Sequence, residues 1–129
     1  MAGTTTGSRW PIGEPEIQNL LDEGELQLVA PSEEHSGFLL DQADVHLASA
    51  AKLVDDDPSG ALAMLYDAAR KAMTAPLARQ GLRLRRHDSE YPGVETPTIT
   101  SEEVTLALAD AREIVDAMKV FVPNVGPWR

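Results

Sequence analysis

The sequence contains no cysteine, and aromatic residues make up only 5% of its 129 positions. Without cysteine there are no disulfide bonds and no thiolate metal sites, a composition compatible with the cytosol. No run of eighteen apolar residues occurs, so no transmembrane helix is expected. Residues 1–16 lack the apolar stretch of a secretory signal. We therefore predict a cytoplasmic protein without membrane contact, of a length suited to one domain.

Cationic side chains are scarce, and their distribution along the chain is uneven. The chain has 11 Lys and Arg against 21 Asp and Glu, a net charge of −10. Residues 58–86 nevertheless hold six cationic side chains and one acidic side chain, a local charge of +5. An acidic protein disfavours nonspecific polyanion binding, but a concentrated basic segment can form a local anion site. The alternative is that these arginines pair with carboxylates of neighbouring helices.

Apolar residues recur at steps of three and four, which predicts three long helices. The first runs from the N-cap Ser32 to about Val54, the second from Pro58 to about Arg79, and the third from Thr100 to Val122. The predicted core-facing residues are Leu40, Ala43, Leu47, Ala50 and Val54 on the first, Leu62, Leu65, Ala69, Ala72 and Pro76 on the second, and Val104, Leu108, Ala111, Val115, Met118 and Val122 on the third.

Local signals predict where these helices begin and end. Asp57 before Pro58 suits the start of a helix after a tight turn, and Thr100 with Glu103 forms a capping box. Gly81 is expected to stop the second long helix, and Pro76 to kink it or end it early.

The fold class predicted from these elements is all-α, a small up-down helical bundle without strand-like alternation. A short helix over 15–25 precedes the three long helices, and a short helical motif segment over 82–91 follows the second. We expect a flexible leader at 1–14, one domain at 15–122 and a tail at 123–129, with Trp10 and Trp128 docking on the body.

The stretch Arg79–Tyr91 (RQGLRLRRHDSEY) holds the candidate functional residues. We assign Arg79, Arg83 and Arg85 to substrate binding, and Arg86, His87 and Tyr91 to catalysis. Metal-free RNA cleavage needs proton-transfer groups and a cation beside the phosphate, and imidazole and guanidinium supply them. Tyrosine is an adequate proton donor. A purely structural alternative pairs Arg86 with Glu90 on the surface and leaves His87 solvated.

Two stretches of the chain together resemble a known family. LLDQADVHLASAAKLVDDDPSGALAMLYDAARKAMTAPLARQGLR, followed by RRHDSEYPGV, looks like a small stand-alone bacterial HEPN domain, with likeness from about Ile17 to Phe121. The resemblance implies a dimeric helical bundle and metal-independent ribonuclease activity of toxin or defence type. It also implies that an arginine, a polar residue and a histidine lie across the dimer interface. Arg86 and His87 match the start of that motif, and Tyr91 stands where the family's histidine would fall.

Two functions are therefore predicted, of different classes. The first is a homodimer that binds RNA or a nucleotide at this basic segment, with ribonuclease activity as an option; two copies supply the groups that one copy lacks, and an open apolar seam favours pairing. The second is a noncatalytic protein-interaction module, such as an antitoxin-side or regulatory partner. A cognate antitoxin or nucleotidyltransferase protein is among the expected partners. No cofactor is predicted, and no metal site either, because the three histidines lack ligand-like spacing.

Overall fold

The computed structural model describes residues 13–85 and 98–128. In these ranges the elements are, in chain order, α1 (Glu14–Asp22), β1 (Leu26–Leu28), α2 (Glu33–Leu53), α3 (Pro58–Gln80), β2 (Leu82–Leu84), α4 (Ser101–Phe121) and a 3-10 turn (Val122–Asn124). The predicted helical fold class is confirmed for this part of the chain, as are the short helix and the three long ones. Homodimer formation stays a prediction.

Capping side chains set where the long helices begin. Ser32, Asp57 and Thr100 each accept the backbone N–H three residues later, at 2.9, 3.0 and 3.1 Å. The Glu103 carboxylate in turn accepts the Thr100 backbone N–H at 2.9 Å, which completes the capping box. All three predicted caps are confirmed, and α2, α3 and α4 begin within one residue of the predicted positions.

The main core lies where α2, α3 and α4 meet, and small side chains dominate it. Five fully buried alanines contribute from α2 and α3: Ala43, Ala50, Ala61, Ala68 and Ala72. Larger residues complete the core, among them Leu47, Leu65, Val104, Leu108 and Val115. Alanine has no atom beyond Cβ, so helix backbones can approach closely at these positions.

The core-facing positions predicted for α2 and α4 are confirmed, except that Leu40, Val54 and Met118 are half-buried at its margin. On α3 the prediction was partly wrong: Ala61 and Ala68 are fully buried, whereas Leu62 and Ala69 are half-buried. α3 packs against both α2 and α4, so its buried face is wider than one seam of steps of three and four.

A two-stranded antiparallel ribbon joins the ends of the α2–α3 hairpin. Its register places Leu26 opposite Leu84, Gln27 opposite Arg83 and Leu28 opposite Leu82. Flanking bonds extend the pairing, since the Val29 N–H donates to the Gly81 carbonyl and the Arg85 N–H to the Glu25 carbonyl, both at 2.8 Å.

This ribbon corrects two predictions, that no strand would form and that a helical segment would begin at Leu82. Gly81 adopts a φ of 81° and ends α3, as predicted, because glycine tolerates the left-handed region. The chain then leaves α3 in an extended conformation, and its backbone groups pair with the connector after α1. The rest of the predicted motif segment lies outside the described residues.

Pro76 lies inside α3, which continues to Gln80. Of the two predicted effects of Pro76, the early end of the helix is wrong, and the kink stays a prediction. The Pro76 side chain is buried, and packing in the interior offsets the loss of one backbone donor.

Trp128 fixes the end of the chain to the helical body. Its side chain is only 2% exposed, and its backbone N–H donates to the Gln80 carbonyl at 2.7 Å. Docking of Trp128 is confirmed, whereas Trp10 lies outside the described residues. None of the described helices is long and apolar enough to cross a membrane.

Candidate anion-binding pocket

The predicted catalytic residues Arg86, His87 and Tyr91 lie outside the described residues. Their assignment therefore stays a prediction. The predicted substrate-binding residues Arg79, Arg83 and Arg85 are all described, and the fold places them in two different environments.

Arg79 lies in the last turn of α3 and forms an ion pair with α2. Its Nη1 is 3.1 Å from the Glu33 carboxylate, and its side chain is 14% exposed. The pair joins the end of α3 to the first turn of α2. Arg79 is not among the residues that line the pocket beside the ribbon, so the fold separates it from the other two predicted binding residues.

Arg83 and Arg85 lie on and just after β2, two residues apart. Successive side chains of a strand alternate between faces, so these two lie on the same face of the ribbon. The Gln27 side chain, opposite on β1, accepts from the Arg83 guanidinium at 2.8 Å (Nη2) and 3.3 Å (Nε). This bond holds the guanidinium across the ribbon without neutralising its charge.

Neither ribbon arginine forms an ion pair with a carboxylate in the described part of the chain. The alternative that carboxylates neutralise the basic segment therefore holds for Arg79 but not for Arg83 or Arg85. Both side chains are exposed, so their donors can reach a ligand.

An open pocket of about 770 Å³ lies where the ribbon meets the start of α2 and the second half of α3. Its charged and titratable lining residues, among those described, are His35, Arg70, Arg83 and Arg85. No carboxylate lines it within the same ranges. The remaining described lining residues are Gln27, Val29, Ala30, Ser32, Thr74, Ala78, Leu82 and Leu84.

His35 and Arg70 are pocket residues that the sequence did not point to. Neither has a local motif: His35 is three residues after an N-cap, and Arg70 lies in an amphipathic helix. Only the pairing of β1 with β2 brings the ribbon arginines to these helices. The excess of cations in 58–86 was the one available signal, and it includes Arg70.

Arg70 is held by a polar network between α2 and α3. The Asp67 carboxylate contacts Arg70 at 2.6 Å, Lys71 at 3.1 Å and His46 at 3.2 Å. Partial burial opposes ionisation of Asp67, but hydrogen bonds from Arg70 and Lys71 outweigh it and lower the pKa of the carboxyl. The spacing of four residues between Asp67 and Lys71 predicts this pair from the sequence, and the contact confirms it.

His46 packs against the same network, and its Nε2 lies 2.8 Å from Lys71 Nζ. The same Nε2 lies 3.2 Å from Asp67 Oδ2, so His46 joins the network as an acceptor from Lys71 in one tautomer and as a donor to Asp67 in the other. This arrangement gives His46 a structural role between α2 and α3. Because Asp67 is shared among three partners, its carboxylate neutralises the charge of Arg70 only in part. The two ribbon arginines have no such carboxylate partner among the described residues.

The pocket can bind an anion, because guanidinium groups donate bidentate hydrogen bonds to phosphate or carboxylate. The described lining residues include one imidazole, that of His35, and no partner arranged with it for proton transfer. No group of three or more potential metal ligands occurs among the described residues.

Comparisons with known proteins add no assignment to this geometry. No protein-family model matches the chain, and neither a curated protein nor a solved structure matches it.

Proposed function

We propose that this protein binds RNA or a nucleotide at the arginine-lined pocket. The observation that carries the proposal is the sign of the charge there: three arginines and a histidine line the pocket, without a carboxylate among its described lining residues. Acidic side chains outnumber basic ones 21 to 11 in the chain, so a lining of this kind is a local reversal of charge. Such a reversal supports an anionic ligand.

Phosphate is the anion that these donors suit best. Arg83 lies on β2, Arg85 directly follows it and Arg70 lies on α3, so their donors reach the pocket from two directions. The resemblance of the chain to HEPN domains independently supports RNA as the source of the phosphate. The HEPN-like fold and the homodimer belong to the same proposal.

The proposal extends to metal-independent cleavage of RNA by the segment after the pocket. Arg86 and His87 directly follow the pocket residue Arg85 in sequence, so the chain itself limits their distance from a phosphate held there. His87 would accept the proton of the 2′-hydroxyl as its oxygen bonds to phosphorus, and Tyr91 would donate a proton to the 5′-oxygen as its bond to phosphorus breaks. Arg86 would stabilise the charge of the phosphorane between these two steps.

Binding is tested by the anisotropy of a labelled RNA titrated with wild type, Arg85→Ala and Arg112→Ala at several salt concentrations. Arg112 is an exposed arginine on α4, outside the pocket, and serves as the matched control. We expect Arg85→Ala to weaken binding by more than about tenfold, the loss of one charge-assisted hydrogen bond, and to reduce the salt slope by about one. Equal affinities of Arg85→Ala and Arg112→Ala for RNA would show that the pocket is not the binding site.

Cleavage is tested by incubating RNA with the protein in the presence of a chelator. We expect wild type to cleave, and Arg86→Ala and His87→Ala to bind RNA without cleaving it. Binding without cleavage by wild type would leave a binding protein rather than a nuclease.

The competing function is a noncatalytic protein-interaction module. It is favoured by Leu106 and Val120, which are 66% and 71% exposed on one face of α4. A stable protein partner recovered by wild type, lost with Val120→Ser, and the absence of any RNA binding would support this function instead.

A further inference from the structure

We infer that the pocket binds an unpaired nucleotide, whose base stacks on the ring pair of His35 and Phe38 at the rim of the pocket. This inference rests on the proposed function and names its ligand more closely. The two rings lie on the first turns of α2, with centroids 6.3 Å apart and planes inclined by 16°. His35 lines the pocket, and Phe38 follows one helical turn later.

The exposure of Phe38 is the unusual part of this pair. Its side chain is 55% exposed, although the chain contains only two phenylalanines. An aromatic ring in a small bundle ordinarily contributes its large apolar area to the core. Here the core is built from alanine, leucine and valine, and the ring stands beside a pocket lined by cations.

Aromatic rings beside a positively charged groove are how proteins bind single-stranded nucleic acid. The cations bind the backbone, and each base stacks on an aromatic face, which any base can do. The exposed Leu84 side chain, also in the pocket lining, adds apolar surface for a ribose or base. A base-paired duplex cannot offer a free base face, so the inference predicts a preference for single strands.

The experiment compares three probes: a labelled single-stranded RNA of about ten nucleotides, within the site sizes of such proteins, the same sequence as a duplex, and inorganic polyphosphate as a polyanion without bases. The variants are Phe38→Ala, Phe38→Tyr and Val45→Ala. Val45 is the matched control, because it lies two turns further along the same side of α2 and is 54% exposed. Thermal unfolding verifies that each variant is folded.

We expect Phe38→Ala to weaken binding of the single strand by at least about fivefold, the loss of one stacked base. Binding of polyphosphate should not change, Phe38→Tyr should restore the affinity, and Val45→Ala should resemble wild type. AMP should displace the labelled strand at a lower concentration than ribose 5-phosphate, which lacks a base. The affinity for AMP relative to the single strand then distinguishes a free nucleotide from an RNA strand as the preferred source of the base.

Equal binding by Phe38→Ala and Val45→Ala would overturn the stacking inference, as would equal affinity for duplex and single strand. In either case Arg85→Ala would still reduce binding, and the proposed function would survive. If wild type binds none of the three probes, the proposed function fails and this inference fails with it.

Discussion

Replacement of Gly81 by alanine should destabilise the protein more than the same replacement at Gly24 or Gly37. Gly81 has a φ of 81°, where an L side chain costs about 1–2 kcal/mol. A Cβ at this position would also lie 2.7 Å from the Val29 carbonyl oxygen and 2.9 Å from Pro31 Cγ. Relief of such overpacking costs about 1–3 kcal/mol. The total is roughly 2–5 kcal/mol, a large part of the roughly 5–15 kcal/mol that holds a domain folded.

The other two glycines separate these contributions. Gly24 has a φ of 79° but an open surrounding, so Gly24→Ala should cost only the roughly 1–2 kcal/mol of the backbone conformation. Gly37 lies in α2 with no atom near its potential Cβ, so Gly37→Ala should stabilise the protein by about 0.5–1 kcal/mol.

The measurement is urea unfolding followed by far-UV circular dichroism, together with thermal midpoints. For a chain of this length each kcal/mol moves Tm by about 4 °C, so Gly81→Ala should lower it by roughly 8–20 °C. The proposed RNA binding should also weaken in the folded variant, because the clash displaces the start of β2 from β1. The reasoning is refuted if Gly81→Ala proves no less stable than Gly24→Ala.

Two further predictions concern packing and pH. Ala72→Leu should cost about 1–3 kcal/mol, because Ala72 is fully buried between helices, whereas Ala63→Leu on the exposed side of α3 should be nearly neutral; similar urea midpoints would contradict a close-packed interface. Thr100→Ala should cost about 1 kcal/mol at neutral pH. Hydrogen bonds from the backbone N–H and the hydroxyl of Thr100 lower the pKa of Glu103 from its ordinary 4.5. The stability that the capping box adds to the folded state is therefore present above pH 4.5 and is lost as the pH falls through the lowered pKa. The stability gap between wild type and Thr100→Ala should therefore narrow in acid, and a gap that widens there would contradict the assignment.

Signals within a few residues of one another were enough to predict the long helices. Ser32, Asp57 and Thr100 each cap a helix through a bond to the N–H three residues later, so residue type and position alone identify them. Gly81 likewise indicates a helix end by its own conformational freedom. The apolar steps of three and four located the core faces of α2 and α4, which each present one main seam.

The ribbon and the pocket depend on contacts between residues far apart in the sequence, and neighbouring residues do not predict such contacts. Leu26–Leu28 and Leu82–Leu84 are three residues each, too short for alternation to be distinguished from chance. Arg79, Arg83 and Arg85 looked equivalent in sequence, and they differ because α3 places Arg79 against Glu33 while β2 places the other two in the pocket. His35 reaches the same pocket from a distant part of the chain.

The ribbon also determines when during folding the pocket can exist. The turn at Asp55–Asp57 needs only neighbouring residues to form, whereas the Gln27–Arg83 bond joins positions 56 residues apart. Closing that long loop is entropically costly and should come late, after α2 and α3 have docked along their alanines. A bound anion would contact β2, α2 and α3 together, and these segments separate when the helical hairpin opens. Binding of the anion therefore raises the free energy of unfolding.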